Sequence, residues 1–228
     1  MEEVGCDFVC EACTKGWDNF RNLTKKELRL VSQHRYETQF EPGEIIFKKG
    51  TPVSSAVFLI EGMAKVYLEG YGGKRLIMAL VRPSRMLAGP GTYTDMRHHY
   101  TVVALTHTKA CFIDINVLKD LVHQNSKFAE GWIKDISHKA LNTFYRTLGL
   151  AQKKMHGRMA EALLYLSNVV HEADKFDLVL SRQELGELTN MTKESVVRIL
   201  KEFARDGLIE EECPRIKLID KDKLKKIS

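Results

Sequence analysis

The chain has 228 residues, of which 44% are hydrophobic and 29% are charged, and this length allows one large domain or two smaller ones. The composition excludes a disordered chain, and no stretch approaches the roughly 20 apolar residues that cross a bilayer. The net charge of +5 permits a polyanionic partner without requiring one. Because the acidic N-terminus also lacks the pattern of a secretory signal, we expect a cytoplasmic protein without a membrane partner.

The first 22 residues contain three of the five cysteines, Cys6, Cys10 and Cys13, and show no clean hydrophobic period. We interpret residues 1–22 as an irregular N-terminal arm. Disulfides are rare in a reducing cytoplasm, so the cysteines are expected to be thiols or metal ligands. A short helix is predicted directly after the arm, with Thr24 as its N-cap.

Residues 40–115 alternate between short β-rich runs and glycines that supply turns. The alternation of apolar and polar residues is clearest near the end of this segment, where Val103, Cys111 and Ile113 share one face of a strand. This pattern predicts an antiparallel sheet folded as a barrel or sandwich. We assign it to a domain over residues 23–125.

A long amphipathic helix is predicted over residues 126–152. Its apolar residues recur at steps of four, which places them along one stripe of the helix. A helix packed on its own sheet and a helix paired with another helix both fit this spacing. The stripe contains Phe128, Trp132, Ile136, Ala140, Phe144 and Leu148.

The C-terminal segment, residues 153–228, contains the pattern of a helix-turn-helix. Ser181 can cap a first helix, with a glutamate three residues later as in a capping box. Asn190 suits the left-handed conformation of a tight turn, and Thr192 caps a second helix. Gly186 would let the two helices approach closely. A β-hairpin wing is predicted to follow.

The second of these helices is predicted to enter the major groove of DNA. Arg198 can bridge O6 and N7 of guanine, and Glu194 can accept a hydrogen bond from N4 of cytosine. The alternative is that these two residues form a salt bridge on a solvated helix. The predicted DNA-contacting residues are Arg182, Thr192, Lys193, Glu194, Ser195, Val197 and Arg198.

From about Leu23 to Ile219, this order of a glycine-punctuated β-roll, a long helix and a winged helix-turn-helix with Glu194-x-x-x-Arg198 resembles the Crp/Fnr regulators. The resemblance implies an α+β fold with an N-terminal antiparallel β-roll similar to cyclic-nucleotide-binding domains, a dimerisation helix and a C-terminal winged helix-turn-helix. It also implies a homodimer that binds a palindromic double-stranded DNA site, with RNA polymerase as a further partner. The implied dimer seam contains Trp132, Ile136, Ala140, Phe144 and Leu148.

The family divides by what the β-roll senses. Members that bind cyclic AMP contact its ribose and cyclic phosphate with a Gly-Glu pair, which is followed by an Arg-Ser pair on the next strand. This sequence has Gly89 and Pro90 at the first position, and no Arg-Ser pair precedes Val102. A proline offers neither a carboxylate nor a backbone donor, so cyclic AMP binding is not expected.

The oxygen-sensing Fnr branch binds an iron–sulfur cluster with cysteines of an N-terminal arm and one cysteine on a late strand. Cys6, Cys10 and Cys13 resemble the arm, and Cys111 matches the strand position, so these four residues are the candidate cofactor ligands. The last arm cysteine of that branch would fall near Asp18 or Asn19, where this sequence has no cysteine. The match is therefore incomplete, since four thiolates are the usual ligands.

Three alternatives to a cluster stay open. The cysteines can bind zinc, or they can bind no metal, with Cys111 as an ordinary buried apolar residue. Haem is the third, because His98, His99 or His107 can supply an axial ligand.

Taken together, the sequence predicts a homodimeric, sequence-specific DNA-binding transcription regulator controlled by a ligand or redox signal at the β-roll. A signal-binding module that acts through a protein partner and a cyclic-nucleotide-responsive regulator are the alternatives. No enzyme is expected, because the sequence has no Gly-x-Ser-x-Gly motif, phosphate loop or His-Glu-x-x-His motif.

Overall fold

The structure is a computed structural model that describes residues 17–87, 89–212 and 214–227. Its contacts divide the chain into two compact units. One contains the residues up to Ala64 together with Val81–Ala140, and the other contains Lys65–Leu80 together with Leu141–Ser228. The domain boundaries drawn after residues 125 and 152 remain predictions. In the described part of the chain, no helix combines the length and the apolar character that crossing a membrane requires.

The order of the elements confirms the predicted α+β fold, with antiparallel strands first, a long helix next and a helix-turn-helix last. The strands are β1 (Arg35–Phe40), β2 (Ile45–Phe47), β3 (Ser55–Glu61), β4 (Ala64–Glu69), β5 (Arg75–Val81), β6 (Met86–Leu87), β7 (Thr101–Ala104), β8 (Thr108–Asp114), β9 (Lys175–Asp177), β10 (Ile209–Glu212) and β11 (Arg215–Leu218). The helices are α1 (Lys25–Gln33), α2 (Ile115–Gln124), α3 (Ser126–Gln152), α4 (Met155–Tyr165), α5 (Arg182–Thr189), α6 (Lys193–Arg205) and α7 (Lys221–Lys226).

The first unit is built on an antiparallel sheet with the strand order β1-β8-β3-β6. Tyr36 on β1 faces Phe112 on β8, and Phe58 on β3 faces Cys111 on β8. The predicted alternation is confirmed for Cys111 and Ile113, which are both buried on one face of β8, whereas Val103 lies on β7 and does not share that strand. Strand β2 pairs with β7 in a second antiparallel ladder of the same unit.

Residues 17–22 belong to this core and not to an irregular arm, which corrects the prediction for the end of the arm. Asp18–Asn22 form a 3-10 helix, and Trp17 and Phe20 are buried. The Trp17 ring meets the ring of Phe128 edge-on, with centroids 5.7 Å apart. The physical reason is that two large aromatic side chains bury enough apolar surface to order a segment with no regular hydrophobic period.

The start of α3 corrects one residue of the predicted dimer seam. Trp132 is only 4% exposed, and its ring packs edge-on against Trp17 at 5.8 Å and Phe128 at 6.0 Å. Because these contacts lie within its own chain, Trp132 is part of the core and is removed from the predicted seam. Other large apolar side chains of α3 are exposed: Ile133, Ile136, Leu141, Phe144, Tyr145 and Leu148.

In the second unit, the β4–β5 hairpin contacts the C-terminal helices through polar groups. The ammonium group of Lys65 donates to Glu184 Oε1 on α5 at 2.6 Å. Arg146 on α3 donates to the carbonyl oxygen of Leu188 at 2.6 Å and also to that of Ile77. Glu184 lies in the first turn of α5 and Leu188 in its last, so both ends of this helix are tied to the hairpin.

Asn19 is a buried amide that joins the 3-10 helix to α3. Its Nδ2 donates to the carbonyl oxygen of Phe128 at 2.8 Å, and its Oδ1 accepts from Asn22 at 2.8 Å. A Cβ atom added at Gly131 would lie 1.8 Å from that Oδ1. The close approach of Asn19 to α3 therefore requires glycine at position 131.

We expect Gly131→Ala to destabilise the protein by about 1–3 kcal/mol, even though alanine alone favours a helix by about 1 kcal/mol over glycine. The added methyl group displaces the Asn19 amide and leaves buried hydrogen-bonding groups without partners. The matched control is Gly149→Ala in the same helix, where the methyl group meets the end of the flexible Glu161 side chain, 2.5 Å away.

The midpoint of urea unfolding, measured at one protein concentration, should fall for Gly131→Ala and should stay or rise for Gly149→Ala. Equal shifts for the two variants would show that the Asn19 contact does not matter.

Candidate nucleic-acid interface

Helices α5 and α6 each begin at a side-chain cap. Ser181 Oγ accepts from the N–H of Glu184 at 3.2 Å, and Glu184 Oε2 accepts from the N–H of Ser181 at 2.8 Å, which confirms the predicted capping box. Thr192 Oγ1 accepts from the N–H of Ser195 at 3.3 Å at the start of α6. Asn190 ends α5 in the left-handed conformation, with φ 53° and ψ 53°. Local sequence therefore fixes the turn between the helices.

The turn brings its backbone directly against α5 at Gly186. A Cβ atom added at this position would lie 2.6 Å from the carbonyl oxygen of Met191. The N–H of Met191 also donates to the carbonyl oxygen of Gly186 at 2.9 Å, which locks the two segments together. The predicted close approach of the two helices is confirmed, and it leaves no room for a side chain at position 186.

Helix α6 has one buried face and one exposed face. Val196, Ile199 and Leu200 are fully buried in the core of the C-terminal segment, as the helix-turn-helix pattern predicts. The wing follows as the antiparallel sheet β10-β11-β9, in which Ile209 faces Leu218. This packing holds α6 rigidly while its other face stays accessible.

The exposed face of α6 forms an open depression with a volume of about 460 Å³. Four of its five lining residues were predicted to contact DNA, and the fifth is Lys201. That residue follows Val197 at the i+4 position, so helical spacing was a signal that could have found it. The lining residues are Lys193, Glu194, Val197, Arg198 and Lys201.

Arg198 and Glu194 do not pair with each other among the described ion pairs. The Arg198 guanidinium instead donates to Glu202 Oε1, one turn further along α6, at 2.8 Å. Hydrogen bonds with its own backbone N–H and with the Thr192 hydroxyl lower the pKa of Glu194. Its carboxylate is therefore ionised at neutral pH and available as an acceptor at the start of the helix.

The other predicted DNA-contacting residues make contacts within the domain. Arg182 forms an ion pair with Glu211 on β10. The hydroxyl groups of Thr192 and Ser195 lie 3.2 Å apart in the N-cap of α6. On the wing, β10 has the sequence Ile-Glu-Glu-Glu, in which Glu210 pairs with Lys217 at 2.9 Å and Glu211 pairs with Arg182.

Only one of the four candidate cofactor ligands lies in the described part of the chain. Cys6, Cys10 and Cys13 lie outside the described residues. Cys111 is 1% exposed, and its Sγ lies 3.8 Å from Nη1 of Arg35. Within the described ranges, no three His, Cys, Asp or Glu side chains group closely enough to hold a metal ion. These residues alone do not fit a cluster, which needs four ligands.

The histidines considered as haem ligands have protein contacts of their own. His98 is buried and stacks on Phe47, with ring centroids 4.0 Å apart, and this burial lowers the pKa of His98. His99 and His107 each contact an exposed carboxylate, at 3.0 Å and 3.1 Å. None of these contacts singles out a haem site, and a haem ligand stays a prediction.

Pro90 begins a short 3-10 helix. In the cyclic-AMP-binding members of the family that the sequence resembles, a glutamate occupies this position. The turn is tight, since a Cβ atom added at Gly91 would lie 1.8 Å from the carbonyl oxygen of Arg97. The side chain of the neighbouring Tyr100 is half-buried, and its desolvation raises its pKa to about 12. The region around Pro90 therefore contains the neutral hydroxyl group of Tyr100, and residue 90 itself has no carboxylate.

Two family models match the chain, a cyclic nucleotide-binding domain over residues 37–125 and a Crp-like helix-turn-helix domain over residues 157–227. Electron transport regulator A of Shewanella oneidensis is 25% identical over 96% of this chain and 90% of its own length. Transcriptional activator protein FnrA of Stutzerimonas stutzeri is 26% identical over 78% of this chain and 74% of its own.

The fold is also similar to solved structures. FixK2 from Bradyrhizobium japonicum matches with a TM-score of 0.78 at 20% identity, over 85% of this chain and 96% of that chain. The cyclic nucleotide-binding match covers the antiparallel sheet, and the helix-turn-helix match covers the capped helices that follow the long helix. The chain belongs to the Crp/Fnr family of transcription regulators.

Proposed function

We propose that the protein controls transcription as a homodimer that places helix α6 of each copy in the major groove of a palindromic DNA site. The observation that carries the proposal is the division of α6 into a buried apolar face and an open face with three cationic side chains. A regulator of this kind works on chromosomal DNA in the cytoplasm, and activation would require contact with RNA polymerase.

The exposed side chains of α6 are suited to two kinds of DNA contact, with base edges and with phosphates. Arg198 has the planar guanidinium that matches O6 and N7 of guanine, and the ionised Glu194 can accept from N4 of cytosine. Lys193 and Lys201 suit phosphate contacts, which add affinity without reading sequence.

Arg198→Ala should weaken binding to the specific site by about 1–3 kcal/mol and leave binding to unrelated DNA nearly unchanged, because it removes a base contact. Lys201→Ala serves as the control, since loss of a phosphate contact should weaken both kinds of binding alike. Fluorescence anisotropy can measure both, with a duplex that the wild-type protein selects from a randomised library and a scrambled duplex of equal length. Equal losses on the two duplexes for Arg198→Ala would refute base reading.

The exposed apolar side chains of α3 support the homodimer. Ile136, Phe144 and Leu148 are large and solvent-exposed in the single chain, with the half-buried Ala140 between them. Full burial of one such side chain contributes about 1.5–3 kcal/mol. A second copy related by two-fold symmetry can cover this stripe with the same stripe of its own α3.

Phe144→Glu should convert the dimer to monomers, because it places an unpaired charge in the apolar seam. The single chain should still fold, since Phe144 is 66% exposed without a partner. Asn142→Glu on another face of α3 is the matched control and should leave the dimer intact. Sedimentation equilibrium at micromolar concentration distinguishes monomers from dimers for each variant. A monomeric wild-type protein would contradict the proposed seam.

We infer that a small molecule or a redox change at the β-roll sets the affinity for DNA. The match to a cyclic nucleotide-binding domain supports a ligand site in this region, while Pro90 argues against cyclic AMP itself. Zinc or an iron–sulfur cluster on Cys6, Cys10, Cys13 and Cys111 stays a prediction.

Cyclic AMP should not stabilise the protein, because residue 90 provides neither the carboxylate nor the backbone donor that holds the ribose. A ligand at 100 times its dissociation constant would add about 2.7 kcal/mol to the free energy of unfolding. The test is to measure the Tm of the protein with and without millimolar cyclic AMP. A family member that binds cyclic AMP serves as the positive control. A clear rise in Tm for this protein would overturn the expectation.

A further inference from the structure

We propose that Glu202 and His156 are positioning residues for base recognition, which hold the Arg198 guanidinium in place before DNA arrives. Arg198 Nη1 donates to Glu202 Oε1 at 2.8 Å, and Glu202 Oε2 lies 2.6 Å from His156 Nε2. This inference rests on the base-reading role proposed for Arg198 and adds the residues that orient it.

The direction of both hydrogen bonds follows from the charge of Glu202. Hydrogen bonds from His156 and Arg198 lower the pKa of Glu202, so its carboxylate is ionised at neutral pH and can only accept. His156 Nε2 must therefore carry a proton and donate it. One carboxylate receives a hydrogen bond on each oxygen, and each bond is charge-assisted.

His156 supplies the anchored end of this three-residue chain. It lies in the first turn of α4, and its ring centroid is 6.0 Å from that of Phe203, a buried residue of the α6 core face. Glu202 precedes Phe203 in the sequence and its side chain is 28% exposed, whereas that of Arg198 is 51% exposed. The three side chains thus run from the His156 imidazole, which lies beside Phe203 and is 42% exposed, through the less exposed carboxylate of Glu202, to the guanidinium of Arg198.

This arrangement lowers the cost of base recognition. A free arginine side chain loses rotamer entropy when it is fixed against a base, and a side chain that is already oriented loses less. The guanidinium has five N–H donors, and the contact with Glu202 uses one of them. The two donors that a bidentate guanine contact needs are still available.

A carboxylate at position 202 has no electrostatic benefit for DNA binding by itself. The same helix carries Lys193 and Lys201, which attract phosphates, and Glu202 opposes that attraction. If Glu202 acted through charge alone, its removal would strengthen binding to every DNA sequence equally. A positioning role predicts that its removal reduces discrimination between sequences, so the two roles can be separated.

The experiment compares Glu202→Ala, Arg198→Ala and the double variant on two duplexes, the selected site and the same site substituted at the base pair that Arg198 reads. Glu202→Ala should reduce discrimination between these duplexes by about threefold to tenfold, the effect of one charge-assisted hydrogen bond. In the Arg198→Ala background, Glu202→Ala should change discrimination no further. Binding to scrambled DNA should stay the same or strengthen.

Further variants test the anchored end and the specificity of the effect. His156→Ala should cause part of the same loss, while His156→Gln should retain function because it keeps an N–H donor. Asp222→Ala is the matched control, since it removes a carboxylate from the ion pair with Lys225 on α7, which has a 3.0 Å contact. It should leave discrimination unchanged. Glu202→Leu, which keeps a similar side-chain volume but has no hydrogen-bond acceptor, substitutes for Glu202→Ala if the alanine variant does not fold.

Three results would overturn the inference. Tighter binding of Glu202→Ala to the selected site would mean that Glu202 holds Arg198 away from DNA. An equal loss of discrimination with and without Arg198 would mean that Glu202 acts independently of it. If Arg198→Ala itself keeps full discrimination, the base-reading function is refuted, and the positioning role is refuted with it.

Discussion

The carboxylate of Glu184 is the interaction on which the arrangement of the DNA-binding segment depends. One of its oxygens caps α5 through the N–H of Ser181, and the other accepts from the nearly buried ammonium group of Lys65 on β4. Burial raises the carboxyl pKa, but hydrogen bonds from Lys65 and Ser181 outweigh burial, so the pKa of Glu184 is lowered overall. Loss of either partner would leave a largely buried charge without compensation.

This contact connects segments that the family models assign to different domains. The β4–β5 hairpin lies within the range matched by the cyclic nucleotide-binding domain, and α5 lies within the range matched by the helix-turn-helix. Arg146 holds the other end of α5 through the carbonyl oxygens of Leu188 and Ile77. Because Gly186 of α5 contacts Met191 in the turn that leads into α6, a displacement of the hairpin would also change the position of α6.

The features that the sequence predicted correctly are local ones. The capping box of Ser181, the left-handed Asn190 and the close approach at Gly186 each depend on residues a few positions apart, so a single segment of sequence contains the necessary information. Trp132 was misplaced because its burial depends on Trp17, more than a hundred residues earlier. The contact of His156 with Glu202 was missed for the same reason, since no spacing rule connects different helices.

The two-faced character of α6 has an evolutionary consequence. Val196, Ile199 and Leu200 hold the helix in place, whereas Glu194 and Val197 make no comparable contribution to the core. If α6 reads the operator as we propose, substitutions at these latter positions can retune operator preference while the scaffold remains intact. Duplicated copies of such a gene can diverge to govern different regulons through changes at very few codons, without first having to acquire compensating stability.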